Sequence, residues 1–172
     1  KEVGNFAFYN CEELTDLSLK NCTAVGNYAF YNCTALKMIR DSYRISSVGK
    51  YAFCNAVQLH TFDISGIQTV GKYSFAYCYS LDSNISDSIE DVPDYAFYEC
   101  RFLKVDLDNE VAFRTVGDYA FYNCLNIGEN IDIEATKLLE AVGKHAFDGA
   151  NLSGTLELTQ NTKSVGEYAF AN

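Results

Sequence analysis

Residues 3–11 read Val-Gly-Asn-Phe-Ala-Phe-Tyr-Asn-Cys, and residues 25–33 repeat them almost unchanged as Val-Gly-Asn-Tyr-Ala-Phe-Tyr-Asn-Cys. Related segments return six more times, at intervals of 22 to 26 residues with a mean near 23. A fixed period of this length is typical of solenoid proteins, in which each repeat packs only on its neighbours. We number the units 1 to 8 by their first residues: Val3, Val25, Val48, Val70, Val92, Val116, Val142 and Val165.

The small residues of the unit predict where neighbouring backbones approach each other. Gly follows Val in seven of the eight units, and Pro93 replaces it in unit 5. Because Pro fixes φ near −65°, this position does not require a positive φ, and we expect the glycines to permit a close approach instead. An Ala or Ser three residues later, always followed by Phe, predicts tight packing beside an inward stack of rings. The eight rings are Phe8, Phe30, Phe53, Phe75, Phe97, Phe121, Phe147 and Phe170.

A second apolar group follows each ring and alternates with polar residues. It is clearest in the segments Leu-x-x-Leu-x-Leu at 14–19 and Leu-x-x-Phe-x-Ile at 59–64. Such alternation indicates a short strand with one buried face, and one strand per unit predicts a parallel sheet along a solenoid. We therefore expect a single solenoid domain over residues 1–172, open at both ends with no caps visible. The side chains expected to face its core are Leu17, Leu19, Phe62, Ile64, Ile131, Ile133, Leu156 and Leu158.

The combined pattern V-G-x-Y-A-F-x-x-C-x-x-L-x-x-L-x-L resembles the BspA-like class of leucine-rich repeats over essentially all 172 residues. The resemblance implies a β-rich, right-handed solenoid with a parallel sheet on one side and short turns or strands opposite. It also implies a non-enzymatic extracellular or cell-surface module for protein binding or adhesion. The alternative is a structural subunit that stacks head to tail through uncapped ends into a filament or surface array.

Composition and motifs narrow the classes of function. Thirteen Lys and Arg against 23 Asp and Glu give a net charge of −10, which disfavours nucleic acid and anionic membranes as partners. No segment is long and apolar enough to predict a membrane-spanning helix. The sequence has no CxxC pair, its two His residues lie far apart, and no catalytic motif is present. We predict no enzyme and no cofactor, and a protein or glycan as the ligand.

Seven cysteines are present, and five of them occupy one position of the unit. Ala56 and Ala150 replace Cys there in two units, which indicates a small buried apolar site. The sequence therefore predicts a ladder of reduced, buried thiols, although neighbouring units would also place some pairs within reach of a disulfide. The five are Cys11, Cys33, Cys78, Cys100 and Cys124.

Aromatic residues recur two positions before the Phe and would form a column on the surface. One interpretation is packing of the ring over the turn with the hydroxyl in water; the other is a tyrosine-rich binding surface. The residues predicted to bind a partner are Tyr28, Tyr51, Tyr73, Tyr95, Tyr119 and Tyr168. A parallel amide column is predicted to form structural hydrogen bonds, and it comprises Asn10, Asn32, Asn55 and Asn123.

Acidic residues point outward from three successive predicted strands, at Asp106, Asp132 and Glu157. Clustered carboxylates can hold Ca²⁺, so these three are calcium candidates, and the alternative is a solvated acidic face. Two sequons in spacers between units, at Asn21 and Asn84, are candidate glycosylation sites in a secreted protein.

Overall fold

The computed structural model describes residues 1–86, 88–104, 113–127, 138–152, 156 and 158–172. Its strands are two or three residues long and all pair in parallel, and these residues contain no helix. The ten strands are β1 (Glu2–Val3), β2 (Asp16–Ser18), β3 (Ala24–Val25), β4 (Met38–Arg40), β5 (Ser47–Val48), β6 (Thr69–Val70), β7 (Asp91–Val92), β8 (Thr115–Val116), β9 (Ala141–Val142) and β10 (Ser164–Val165).

Eight of the strands contain the first Val of a unit, and they pair from unit to unit in sheets that run along the solenoid. Those of units 1 to 4 form one four-stranded sheet, β1-β3-β5-β6, and those of units 5 to 8 form a second, β7-β8-β9-β10. Valine pairs with valine between adjacent units, as in Val3 with Val25 and Val116 with Val142. The register therefore repeats the period of the sequence, which confirms the predicted parallel β-solenoid of about 23 residues per turn.

The alternating Leu-x-Leu segment was predicted to form the strands of the sheet, and within the described residues it contributes β2 and β4. β2 pairs with β4, and isolated bridges join Met38 to Thr61 and Asn84 to Lys104. Leu17, Leu19, Phe62, Ile64 and Leu156 pack in or against the core as expected. The prediction was wrong for Leu158, which is 50% exposed. Ile131 and Ile133 lie outside the described residues.

The segment from Gly to Cys winds through consecutive turns. In unit 1, the N–H groups of Ala7, Tyr9 and Cys11 donate to carbonyls three residues back, at 3.1 to 3.3 Å. The intervening N–H groups of Phe6, Phe8 and Asn10 donate to carbonyls of the next unit, at 2.7 to 2.9 Å. Alternate amides thus close the turn and join adjacent units, so the buried backbone needs no long strand to satisfy its hydrogen bonds.

The core is a continuous stack of the eight predicted Phe rings. Adjacent rings are nearly parallel, with centroids 4.9 to 5.5 Å apart and interplanar angles of 1 to 19°. The inner rings, such as Phe30 and Phe121, have no exposed surface, whereas Phe8 and Phe170 at the two ends are half-buried. This arrangement confirms the inward ring stack.

Close approach at the glycines is confirmed as well. None of the glycines that follow Val has a positive φ. A Cβ on Gly26 would lie 2.7 Å from the backbone N of Asn5, and one on Gly143 would lie 2.4 Å from the backbone N of Asp118. A side chain at this position would therefore collide with the backbone of the preceding unit.

Candidate binding surface

The aromatic column that precedes the Ala forms an uninterrupted stack on the surface. Adjacent ring centroids lie 4.5 to 5.1 Å apart and the rings are within 18° of parallel. The stack contains all six tyrosines predicted as a binding surface, together with a Phe and a His. We call it the aromatic ladder: Phe6, Tyr28, Tyr51, Tyr73, Tyr95, Tyr119, His145 and Tyr168.

Every member of the aromatic ladder has a left-handed backbone conformation, with φ between 52 and 59°. This region is sparsely populated by residues other than Gly, and a bulky side chain there is under local strain. The conformation aims each backbone N–H at the next unit, as in the Tyr28 N–H that donates to the Lys50 carbonyl at 2.9 Å. The ladder is therefore held by the backbone as well as by ring stacking, and its rings are fixed in place.

The stacking decides which parts of the rings a partner can reach. Each inner ring has its two faces covered by its neighbours, so only its edge and its hydroxyl group meet solvent. Partial burial raises the pKa of Tyr51, Tyr73 and Tyr95, and their hydroxyls remain protonated donors at neutral pH. A ligand that stacks on a ring face, as a sugar or an organic cation does, finds no free face along the inner ladder.

A second row of tyrosines runs beside the ladder but is interrupted in the middle. Tyr9 stacks on Tyr31 at 5.2 Å, and Tyr98 stacks on Tyr122 at 5.1 Å. Between these pairs the row holds the small residues Cys54 and Ala76, both buried. Burial is the main cause that raises the pKa of Tyr98 to about 12.

Three apolar side chains in units 4 to 6 are exposed, a feature that the repeat pattern did not reveal. Tyr77 is 37% exposed, Phe102 is 56% exposed and Leu125 is 45% exposed. The positions of Phe102 and Leu125 vary from unit to unit, and Tyr77 stands where most units have Asn, so no recurring residue marks these three. Large apolar groups in water mark interaction surfaces when they cluster.

The amide column has two structural roles. Its members lie in the left-handed region at φ values of 53 to 65°, which Asn tolerates better than most residues. Its side chains also bridge units: Asn55 Nδ2 donates to Asn32 Oδ1, and Asn123 Nδ2 donates to Glu99 Oε1 at 3.0 Å. The structural interpretation of the column is confirmed, and backbone conformation is the part that the sequence did not show.

The cysteines are unpaired, and four of the predicted five are completely buried. Each of these four thiols donates a hydrogen bond to the carbonyl of the ring-stack Phe in the preceding unit, at 3.0 to 3.2 Å. Burial raises the pKa of Cys33 to about 11 and that of Cys78 and Cys100 well above the ordinary value. Cys11 differs from the prediction, because it is only half-buried in the first unit.

We expect alkylation at pH 8 without denaturant to modify Cys11 and Cys22 and to spare the other five thiols. The reason is that Cys11 and Cys22 are half-buried, while burial holds the others in the unreactive protonated form. Intact mass followed by peptide mapping counts and locates the labels, and unfolding in guanidinium should make all seven react. Rapid modification of Cys100 in the folded protein would contradict the buried ladder.

His145 forms the one close His–carboxylate pair among the described residues. Its Nδ1 lies 2.6 Å from Asp148 Oδ2, and Asn172 Nδ2 donates to Asp148 Oδ1 at 3.0 Å. Burial would raise the pKa of Asp148, but the bonds from His145 and Asn172 outweigh it and hold that pKa below 3.8. The imidazole is stacked between Tyr119 at 4.8 Å and Tyr168 at 4.9 Å, so the pair anchors the His within the aromatic ladder.

We expect the Asp148 pair to stabilise the fold above about pH 4 and to lose its contribution at lower pH. The folded pKa lies below the unfolded value of 3.8, so stability falls as the pH drops from the unfolded towards the folded pKa. Thermal unfolding between pH 5 and pH 2 should therefore show a smaller acid loss in Asp148→Asn than in the wild type. Parallel pH profiles for the two proteins would assign no pH dependence to this carboxylate.

The remaining sequence predictions concern metal and glycan attachment. Asp106, Asp132 and Glu157 lie outside the described residues, so the calcium site stays a prediction. Elsewhere, in the described segments, no group of three or more His, Cys, Asp or Glu residues could hold a metal ion. Asn21 and Asn84 are both exposed, as a glycosylation acceptor must be, and their modification stays a prediction too.

Comparison with known proteins agrees with this geometry. A family profile described as BspA type Leucine rich repeat region matches residues 1–127 and 69–172, with six copies of the repeat. The chain belongs to this family. Leucine-rich repeat solenoids of this type are typically protein-binding rather than enzymatic. No curated protein matches the chain.

Two solved structures show the same fold. A leucine-rich repeat protein of T. pallidum is similar with a TM-score of 0.68 and 24% identity, over 88% of this chain and 71% of its own. A leucine rich cell surface protein of Faecalibacterium prausnitzii A2-165 has a TM-score of 0.74 and 22% identity, over 95% of this chain and 43% of its own. This leucine-rich repeat chain thus spans less than half the length of the second protein. Within its described residues, no helix has the length and apolarity to cross a membrane.

Proposed function

We propose that this leucine-rich repeat protein is a non-enzymatic recognition module that binds a protein partner along the aromatic ladder. The observation that carries the proposal is the continuous stack of eight rings, each fixed by a left-handed backbone and presenting its edge to solvent. Tyrosine is enriched at protein interfaces because a rigid ring offers contact area and a hydrogen bond at low entropic cost. The exposed Tyr77 extends this surface through its ring contact with Tyr98 at 5.2 Å.

A protein partner fits this surface better than a glycan. Sugars bind aromatic residues mainly through the ring faces, and the inner faces of the ladder are occupied by neighbouring rings. Ring edges and hydroxyl groups instead suit an apolar protein surface with hydrogen-bond acceptors. The net charge of −10 disfavours nucleic acid as the partner. An extracellular or cell-surface location, with adhesion as the role, is part of the proposal and is consistent with the cell-surface relative.

The test measures binding to a panel of purified extracellular matrix proteins and to a glycan array. The ladder variant carries Tyr51→Asn and Tyr95→Asn, since Asn removes the ring and tolerates the left-handed conformation. We expect binding to at least one matrix protein and an increase in Kd of about 30-fold in the variant, as for truncated interface tyrosines.

The control is Tyr43→Asn, which removes a tyrosine ring from outside the ladder; Tyr43 is 57% exposed and thus more exposed than Tyr51 or Tyr95. It should bind like the wild type, and both variants should keep the circular dichroism spectrum of the folded protein. Equal loss of binding in the control and the ladder variant would contradict the assignment of the surface. Binding to glycans alone would contradict the preference for a protein partner.

The second candidate function is head-to-tail self-association. The end rings of the ladder are 57% exposed at Phe6 and 65% exposed at Tyr168, and each offers the face on which the next ring would stack. Wherever these units stand at an end of the molecule, a second copy can continue the stack. Head-to-tail contacts that repeat without closing into a ring produce a filament. Light scattering at protein concentrations of about 1–100 µM, which covers dissociation constants on the order of micromolar, should then show growth that Tyr168→Asn prevents. A constant monomer mass would exclude this function for the chain.

A further inference from the structure

The two four-stranded sheets stop at the same place, between unit 4 and unit 5. β6 ends the first sheet and β7 begins the second, although the two strands occupy equivalent positions in adjacent units. A cleft of about 490 Å³ opens there, lined by residues of both strands and by Pro93. Val70 is partly exposed at this cleft, whereas Val25, Val48 and Val116 are each 2% exposed and Val92, on the other side of the cleft, is 1% exposed.

Pro93 accounts for this interruption in two ways. At five of the other six junctions the equivalent Gly donates its N–H to the Val carbonyl of the preceding unit, as Gly26 does to Val3 and Gly117 does to Val92, both at 2.8 Å; Gly71 is the exception in the described backbone. Proline has no N–H to donate to Val70. A Cβ at this position would also lie 2.4 to 2.7 Å from the backbone N of the preceding unit at the other junctions, so the ring of Pro93 keeps the two units apart.

A second backbone hydrogen bond is missing at the same junction. The Gln68 N–H donates to the Ser46 carbonyl at 2.8 Å, and the Arg114 N–H donates to the Glu90 carbonyl at 2.7 Å. The equivalent bond from Glu90 to Gln68 is not formed in the described backbone. The sheet side of this junction therefore lacks both of the bonds that close the junction of units 5 and 6.

The opposite side of the junction remains tightly joined. Tyr73 and Tyr95 stack at 4.5 Å, the closest pair of the aromatic ladder, and the Lys72 ammonium contacts the Asp94 carboxylate at 2.5 Å. The ring stack also continues, with Phe75 and Phe97 at 5.3 Å. Units 4 and 5 are thus open along the valine strands and closed along the aromatic residues.

We infer that this junction is a hinge, at which the two halves of the solenoid separate along the sheet face while the aromatic ladder serves as the pivot. Local opening begins where hydrogen bonds and buried apolar contacts are fewest. Bending here changes the curvature of the sheet face and leaves the stacked rings continuous. The inference does not depend on the proposed binding function.

Hydrogen exchange of the intact chain, followed by mass spectrometry, tests the hinge in three proteins. In the wild type, peptides covering 89–94 should exchange at least about tenfold faster than those covering 113–118. The net contribution of one hydrogen bond to stability corresponds to about that factor in the opening equilibrium. Pro93→Gly restores the donor and removes the ring, so exchange at 67–72 and 89–94 should slow by about tenfold. Peptides covering 46–50 should be unaffected.

The matched variant Gly117→Pro should create fast exchange at 113–118, because it places the same ring at the next junction. Equal protection of all junctions in the wild type would overturn the inference. Unchanged exchange in Pro93→Gly would overturn it as well. The comparison of the wild type with Pro93→Gly decides the matter even if Gly117→Pro does not fold.

Discussion

Truncation of Phe97 to Ala is expected to lower the free energy of unfolding by about 3–5 kcal/mol, the range for buried rings in well-packed cores. Phe97 has no exposed surface, and its ring lies between Phe75 at 5.3 Å and Phe121 at 5.5 Å. Removal of the ring leaves a cavity that the turns cannot close, because their backbones are hydrogen-bonded to both adjacent units. Urea unfolding followed by circular dichroism gives the free-energy change directly.

The matched control for this prediction is Phe170→Ala at the end of the stack. Phe170 is half-buried and stacks on one ring, Phe147 at 5.4 Å, so its truncation should cost markedly less than that of Phe97. The ratio of the two losses in free energy of unfolding separates the contribution of stacking on both faces from the general effect of removing an aromatic ring. A cost below about 1 kcal/mol for Phe97→Ala would show that the ring stack does not hold the units together.

The repeat pattern predicts those features of the fold that depend on one residue meeting its own copy in the next unit. Phe follows a small residue in every unit, so the sequence alone predicts a stack of rings. The exchange of Cys with Ala indicated buried thiols, and the four thiols that have a preceding unit are indeed fully buried. The aromatic ladder was visible in the same way, because its members recur at a fixed distance from the Phe.

Other features depend on geometry that no side-chain pattern encodes. The main strands are two residues long, too short for any alternation of polar and apolar residues to reveal them. The left-handed conformation of the ladder was hidden because the residues there are aromatic rather than Gly or Asn. Pro93 was evident as an exception, but its effect on the sheet depends on a donor that the Gly provides elsewhere. Leu158 fitted the apolar pattern of its unit and is nonetheless half-exposed.

The substitution Gly143→Ala is expected to destabilise the protein by about 1–3 kcal/mol, towards the upper end of the range for overpacking. The new Cβ would lie 2.4 Å from the backbone N of Asp118 and 2.5 Å from the carbonyl C of Gly117. Both atoms are backbone, so the clash cannot be relieved by a change of rotamer. Separation of the two units would relieve it, but that movement would break the Gly143 N–H bond to the Val116 carbonyl, which is 2.7 Å long.

Gly4→Ala provides the control, since Gly4 occupies the same position of its unit and a Cβ there would meet nothing within 4 Å. Neither glycine has a positive φ, so backbone conformation does not distinguish the two substitutions. Ala at Gly4 should therefore be neutral or stabilising by up to about 1 kcal/mol, because it restricts the unfolded chain. Thermal and urea unfolding of the two variants compare the same chemical change with and without backbone atoms close to the new Cβ. Equal effects at Gly4 and Gly143 would mean that glycine is retained there for a reason other than the close approach of adjacent backbones.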